Sequence, residues 1–154
     1  MTIYLLRHAR AGDRSAWRGD DRLRPLSARG HLQAIGLLDL LADAPLDRLL
    51  SSPYVRCMET VVPLSAARSL AIEPVDALGE GSGLEEALAL VRKHATHNAV
   101  FCTHGDVIPM LLEHYAGRGI DLGPAPQCPK GSTWAVDVDV SGEATTARYL
   151  GTPD

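Results

Sequence analysis

A four-residue apolar run, Ile3-Tyr4-Leu5-Leu6, stops abruptly at Arg7-His8. The run is short and ends at charged residues, so it reads as a buried β-strand. A second run, Asn98-Ala99-Val100-Phe101-Cys102-Thr103, stops in the same way at His104-Gly105. Open α/β sheets bind their ligands just beyond the carboxyl ends of buried parallel strands. Each histidine therefore falls where such a sheet carries its chemistry.

The chain between these runs alternates in period. Residues 9–26 form a long polar loop, and loops of that length in small domains are usually functional. Ser27 is a natural N-cap for a helix whose apolar face is Ala34, Leu37, Leu38 and Leu41. Arg48 to Ser51 reads as a second strand. Ser52-Pro53 then supplies a hydroxyl cap and a proline for the start of a second helix, with Arg56 one turn inside. Pro63 is expected to kink or divide that helix before it resumes to about Leu70.

Ile72 to Val75 reads as a third strand, followed by a glycine-rich loop at 76–83 that carries Glu80. Ser82-x-x-Glu85 predicts a capping box for a helix that turns Leu84, Leu88 and Val91 inward. Gly105-Asp106 opens a helix to about Ala116, with Gly117 as its C-cap. A proline- and glycine-rich loop spans 117–131. Trp134, Val136, Val138 and Val140 alternate with polar or small residues, which predicts a strand solvated on one face. Glu143 to Leu150 is its expected hairpin partner. With no repeat or linker, residues 1–154 read as one domain, a three-layer α/β/α sandwich on a mainly parallel central sheet.

Charge narrows the partners. A net charge of −4 argues against nucleic acid and membrane surfaces, which favour basic proteins. The arginines nevertheless crowd the start, at positions 7, 10, 14, 18, 22, 24 and 29, a local patch suited to a small anionic group. The three cysteines are widely spaced, and no apolar run is long enough for a leader or a membrane span. A reduced, cytoplasmic setting is therefore expected.

Neutral imidazole can attack phosphorus, and guanidinium lays paired hydrogen bonds over phosphate oxygens. His8 is thus a candidate nucleophile. Arg7, Arg56 and His104 are candidate ligands of the transferred phosphoryl group, with the Gly105 amide and Arg10 as additional binders, a solvated side chain being the alternative for Arg10. Arg24 is read as either a phosphate ligand or a solvated side chain. Neighbouring positive charge would keep His8 neutral. No metal or other cofactor is expected. His31, His94, His97 and His114 fall in or at the ends of helices and are assigned to surface or capping roles. Trp17 is expected to pack the long loop, with contact to substrate as its alternative.

Four motifs occur in order: Leu6-Arg7-His8-Ala9, Arg24-Pro25-Leu26-Ser27-x-x-Gly30-x-x-Gln33-Ala34, Ser51-Ser52-Pro53-x-x-Arg56-x-x-x-Thr60 and Thr103-His104-Gly105. Together they resemble the histidine phosphatase (phosphoglycerate-mutase-like) superfamily. Within it, the likeness is to SixA-type phosphohistidine phosphatases and to phosphatase domains fused to Nudix hydrolases. Ala9 stands where the common motif has glycine, a mild departure unless the position needs positive φ.

The resemblance implies the phosphoglycerate-mutase-like fold and a phosphohistidine intermediate at His8. It also implies a phosphorylated substrate, foremost a phosphohistidine on a protein. A nucleoside diphosphate or nucleotide polyphosphate is the alternative, and a catalytically weak phosphate-binding scaffold the reading of another class. In relatives that cleave alkyl phosphates, an acid follows the third strand. Glu80 is the candidate here, with a solvated loop carboxylate as its alternative. Asp106 is the second candidate, with helix capping as its alternative.

Overall fold

The computed structural model describes residues 1–153. The first strand, β1 (Thr2–Arg7), lies inside a six-stranded sheet because its residues are buried on both faces. The others are β2 (Arg48–Ser51), β3 (Ile72–Pro74), β4 (Ala99–Thr103), β5 (Thr133–Val138) and β6 (Ala144–Gly151). Their order is β3-β2-β4-β1-β5-β6. The first four are parallel, whereas β5 pairs antiparallel with β1 and β6 antiparallel with β5.

Four helices cover this sheet: α1 (Ala28–Leu40), α2 (Val55–Arg68), α3 (Leu84–Lys93) and α4 (Val107–Gly117). The two-residue period of β1 sorts them into layers. Ile3 and Leu5 pack with Leu50, Phe101 and Trp134 against Leu88 and Val91 of α3 and Leu111 of α4. Tyr4 and Leu6 pack with Leu49, Val100 and Cys102 against Leu37 of α1 and Cys57, Val61 and Leu64 of α2. Each fully buried Leu contributes about 1.5–3 kcal/mol, so both helical layers are held by the strands between them. The result is the three-layer α/β/α sandwich with a mainly parallel sheet. Among the described residues no helix is long and apolar enough to cross a membrane.

Local structure departs from the sequence reading at five places. Helix α2 runs unbroken through Pro63. Thr60, Val61 and Leu64 are buried on either side of it, and their packing overrides the lost hydrogen bond. Ser52 does not cap α2; Tyr54 holds that position, and the Ser52 hydroxyl is used elsewhere. The Ser82–Glu85 box is not made, because Gly83 is the N-cap of α3.

Helix α4 includes Gly117, and the left-handed turn falls at Gly119, with φ +93°. Strand β5 is buried on both faces over Thr133–Val136, since Ala135 packs into the α1/α2 core that the alternating pattern had assigned to solvent. The long loop is tethered as well. The Arg10 carbonyl accepts from the N–H and hydroxyl of Ser27, and a Cβ at Gly30 would collide with that carbonyl. Trp17 is 37% exposed and donates from Nε1 to the Asp20 carbonyl, so it braces a turn without entering a core.

Candidate active site

Strand register brings the pieces together. Arg7 pairs with Thr103 and Ser51 with Cys102, so β1, β4 and β2 release His8, His104 and Ser52 side by side at one edge. Thr60 of α2 ties the corner. Its hydroxyl accepts from the Ala9 N–H at 3.0 Å and donates to the Arg56 carbonyl at 2.7 Å. Ala9 has no positive φ, so alanine replaces the usual glycine without strain.

His8 is 5% exposed, and its Nδ1 lies 2.8 Å from the Ala9 carbonyl. A carbonyl only accepts, so Nδ1 carries the proton and the Nε2 lone pair is free. Burial, then the charges of His104, Arg56 and Arg7, push its pKa down to about 3 against the opposing pull of the Ala9 bond. The imidazole is therefore neutral throughout the physiological range, with Nε2 available as a lone-pair donor.

Nitrogen NMR of the ring is expected to show the Nδ1–H tautomer unchanged from pH 8 down to about 4.5; titration near the ordinary value of 6.5 would contradict it. The linked stability effect has a definite sign. The unfolded chain binds this proton from about 6.5 and the folded one only near 3, so stability declines as pH falls through that window.

His104 stands across from His8, with ring centroids 5.4 Å apart. The Ser52 hydroxyl accepts from the Tyr54 N–H and lies 2.8 Å from His104 Nε2; in the tautomer in which Ser52 donates to Nε2, Nδ1–H is the free donor of the ring. The Tyr54 ring packs edge-on against His104 at 4.6 Å and lies 5.0 Å beneath the Arg56 guanidinium. Arg7 donates from one terminal nitrogen to the Cys128 carbonyl at 2.7 Å. Arg56, 1% exposed, donates to the Asp21 carbonyl and is ion-paired with Asp21 at 3.1 Å and Glu80 at 3.4 Å.

After these bonds are counted, Arg7 Nε, Arg56 Nε and His104 Nδ1 remain buried without a protein acceptor. Leaving a buried donor unsatisfied costs about 1–3 kcal/mol. Arg7 and His104 line one cleft with His8, and the charge of Arg56 acts on the same imidazole, a set of donors suited to a tetrahedral oxyanion.

The cleft above them has a volume of about 520 Å³. Of the residues expected from sequence, Arg7, His8, Glu80, His104 and Gly105 line it, as does Asp106. Arg56 is not among the lining residues; its buried guanidinium is paired with Asp21 and Glu80 and its charge acts on His8. Arg10 is not brought to the cleft; it lies by a separate depression with Arg29, Leu32, Gln33 and Pro153.

Glu80 is neither loose nor simply solvated. Arg14 holds one carboxylate oxygen at 3.0 Å and Arg56 lies at 3.4 Å from the other. Asp106 accepts from the Gly81 N–H at 2.8 Å, which fixes the same loop. The sequence reading left Arg14 and Lys130 unassigned and the place of Arg24 open. All three line the cleft, and Arg24 is buried against Asp21 and the Gly12 carbonyl. The early run of arginines was the signal for Arg14, Arg24 also opens the second of the four motifs, and nothing marked Lys130.

Comparison with known proteins follows this geometry. The model of the "Histidine phosphatase superfamily (branch 1)" matches residues 3–89. An 8-oxo-(d)GTP phosphatase of Mycolicibacterium smegmatis is 36% identical over 99% of this chain and 49% of its own length. The chain thus spans about half the length of that curated relative. Among solved structures, the protein histidine phosphatase SixA complexed with tungstate superposes with a TM-score of 0.79 at 17% identity, covering 100% of this chain and 97% of that one. A mycobacterial glucosyl-3-phosphoglycerate phosphatase gives 0.68 at 15%, covering 99% and 98%. At such identities the likeness establishes the fold. Family match, relative and fold agree, and the chain belongs to the histidine phosphatase superfamily, branch 1.

Proposed function

We propose that the chain removes a terminal phosphoryl group from a nucleoside polyphosphate through a phosphohistidine at His8, without a metal. One observation carries the reading: a neutral imidazole with a free Nε2 shares its cleft with Arg7 and His104, each of which keeps a buried, unsatisfied nitrogen. Attack by Nε2 forms an N–P bond as the P–O bond to the leaving group breaks, and the electron pair departs on that oxygen. Charge on the equatorial oxygens falls to Arg7, Arg56 and His104. Water then attacks phosphorus, the N–P pair returns to Nε2, and inorganic phosphate is released.

The 36%-identical relative is named for a nucleotide substrate, and a cleft of about 520 Å³ has the size of a small-molecule site. A nucleotide phosphate also leaves without a proton, because its second pKa is about 6. That suits a Glu80 already engaged by Arg14 and Arg56. A phosphohistidine displayed on a protein is the second reading. It is favoured by the open rim of the cleft, where the Arg14 side chain is 64% exposed.

The test is a substrate panel assayed with and without exhaustive chelation. The expected kcat/KM for nucleoside diphosphate exceeds that for a phosphohistidine peptide at least about tenfold. Alkyl phosphates, which need a general acid, should lag by roughly 10²–10⁴-fold. Chelation should leave rates within about twofold, since arginines stand where a metal would polarise the phosphate. A preference for the peptide would transfer the assignment to the second reading, and a large loss restored by a divalent cation would overturn metal independence.

A further inference from the structure

Two cations of the cleft have no carboxylate partner. Arg14 is paired with Glu80 and Asp21, and Arg24 with Asp21. Among the described residues, no carboxylate oxygen lies within 4.0 Å of the charged nitrogens of Arg7 or Lys130. The transferred phosphoryl group accounts for Arg7. It leaves Lys130 unexplained.

Lys130 is one of two lysines in a chain with thirteen arginines. Its side chain is exposed at the rim, yet its backbone is held at the nucleophile. Gln33 Nε2 donates to the Lys130 carbonyl at 3.3 Å. The next N–H, that of Gly131, donates to the carbonyl of His8 at 3.0 Å and to that of Arg7 at 3.2 Å. Gly131 has φ +83°, a conformation that glycine adopts at little cost, and this turns the loop back over the end of β1. Partial burial, followed by the charges of Arg7, Arg24, Arg10 and Arg14, lowers the pKa of the ammonium. A cation whose backbone is anchored among other cations is placed for an anion that comes from outside.

We infer that Lys130 binds the phosphate adjacent to the one transferred, so that the site selects phosphoanhydrides, nucleoside diphosphates foremost; this rests on the phospho-His8 reading above. In-line transfer puts the leaving oxygen opposite Nε2. His8 is buried and Lys130 is exposed in the lining of the same cleft. A leaving group that points outward from His8 therefore passes among the outer cations, of which Lys130 is the one without a carboxylate partner. With a diphosphate, the bond from the β-phosphorus to the bridging oxygen breaks as the N–P bond forms. The electron pair stays on that oxygen, now terminal on the α-phosphate, and Lys130 meets the charge gained there. A simple ester presents no second phosphate to it.

The experiment compares kcat/KM for a nucleoside diphosphate and an aryl phosphate in wild type, Lys130→Ala and Lys130→Arg. The diphosphate-to-aryl ratio should fall roughly 10- to 100-fold in Lys130→Ala, the loss of one charge-assisted contact, and recover largely in Lys130→Arg. Methylenediphosphonate should inhibit wild type more strongly than Lys130→Ala by a similar factor, a readout that needs no turnover of the inhibitor. An unchanged ratio overturns the inference, as does an equal loss on both substrates or a Lys130→Arg protein no better than Lys130→Ala. Trapping a phosphoenzyme from aryl phosphate separates the two levels. If it forms while the ratio stays fixed, only the role of Lys130 falls; if no substrate forms it, the covalent reading falls too.

Discussion

Changing His8→Ala should abolish turnover, by at least about 10³-fold, and with it the covalent intermediate. The imidazole has no substitute in the cleft. In the proposed mechanism Arg7, Arg56 and His104 stabilise charge but supply no second nucleophile: the guanidinium groups have no free lone pair, and His104 Nε2 is engaged by Ser52. Rapid quench of the wild type with labelled substrate should trap a phosphoenzyme that acid destroys and base spares, as expected of a phosphoramidate. His8→Ala should show no label.

Binding is expected to survive the substitution. The buried donors are untouched, so tungstate or vanadate should bind within about tenfold of wild type. That combination distinguishes a nucleophile from a residue that only shapes the pocket. It also removes the scaffold reading, for which loss of His8 would matter to binding and not to chemistry. If the variant retained more than a few per cent of activity, covalent catalysis at His8 would be wrong.

The parts of this site that could be read from the chain are those set by strand ends. A buried strand announces itself by an apolar run, and the residue where the run breaks must face the carboxyl edge of the sheet. That logic reaches His8 and His104 directly, and it reaches Arg56 through the helix that follows β2. It fails for Lys130 and Arg14. Both sit in loops without hydrophobic period, and only tertiary contacts bring them in: Gln33 with Gly131 for one, Glu80 with Asp21 for the other.

Ser52 shows a different limit. A hydroxyl before proline is a helix signal by local rules, but here His104 is in reach across β4 and the buried ring takes the bond. In β5, the alternating pattern assigned one face to solvent because nothing local shows that α1 and α2 cover Ala135. Arg10 was drawn to the site by its closeness in sequence to His8. The chain turns after Ala9, and the Arg10 backbone is spent on holding Ser27 and Gln33.

Gly105→Ala should cost the enzyme about 10²–10³-fold in kcat/KM while barely changing its stability. A Cβ built on Gly105 would lie 2.6 Å from Arg7 Cζ, 2.7 Å from a terminal nitrogen and 2.8 Å from Nε, all too close to coexist. The colliding group is the far end of a flexible side chain, so the fold accommodates the methyl by moving the guanidinium. The backbone of β1, zipped to β4 and β5, stays in place. What is lost is position. Arg7 leaves the Cys128 carbonyl, and the unsatisfied Nε swings away from His8.

A donor aimed at developing charge is worth about 2.7–4 kcal/mol in comparable sites, hence the predicted factor. Thermal unfolding of Gly105→Ala should stay within about 3 °C of wild type, since less than roughly 1 kcal/mol is at stake. Arg7→Ala should match its kinetic defect, and the double variant should be no worse than either single change, because both remove the same contact. Additive losses would mean that Gly105 acts by another route, such as its own amide on the phosphate. A large fall in melting temperature would mean that the methyl had displaced backbone.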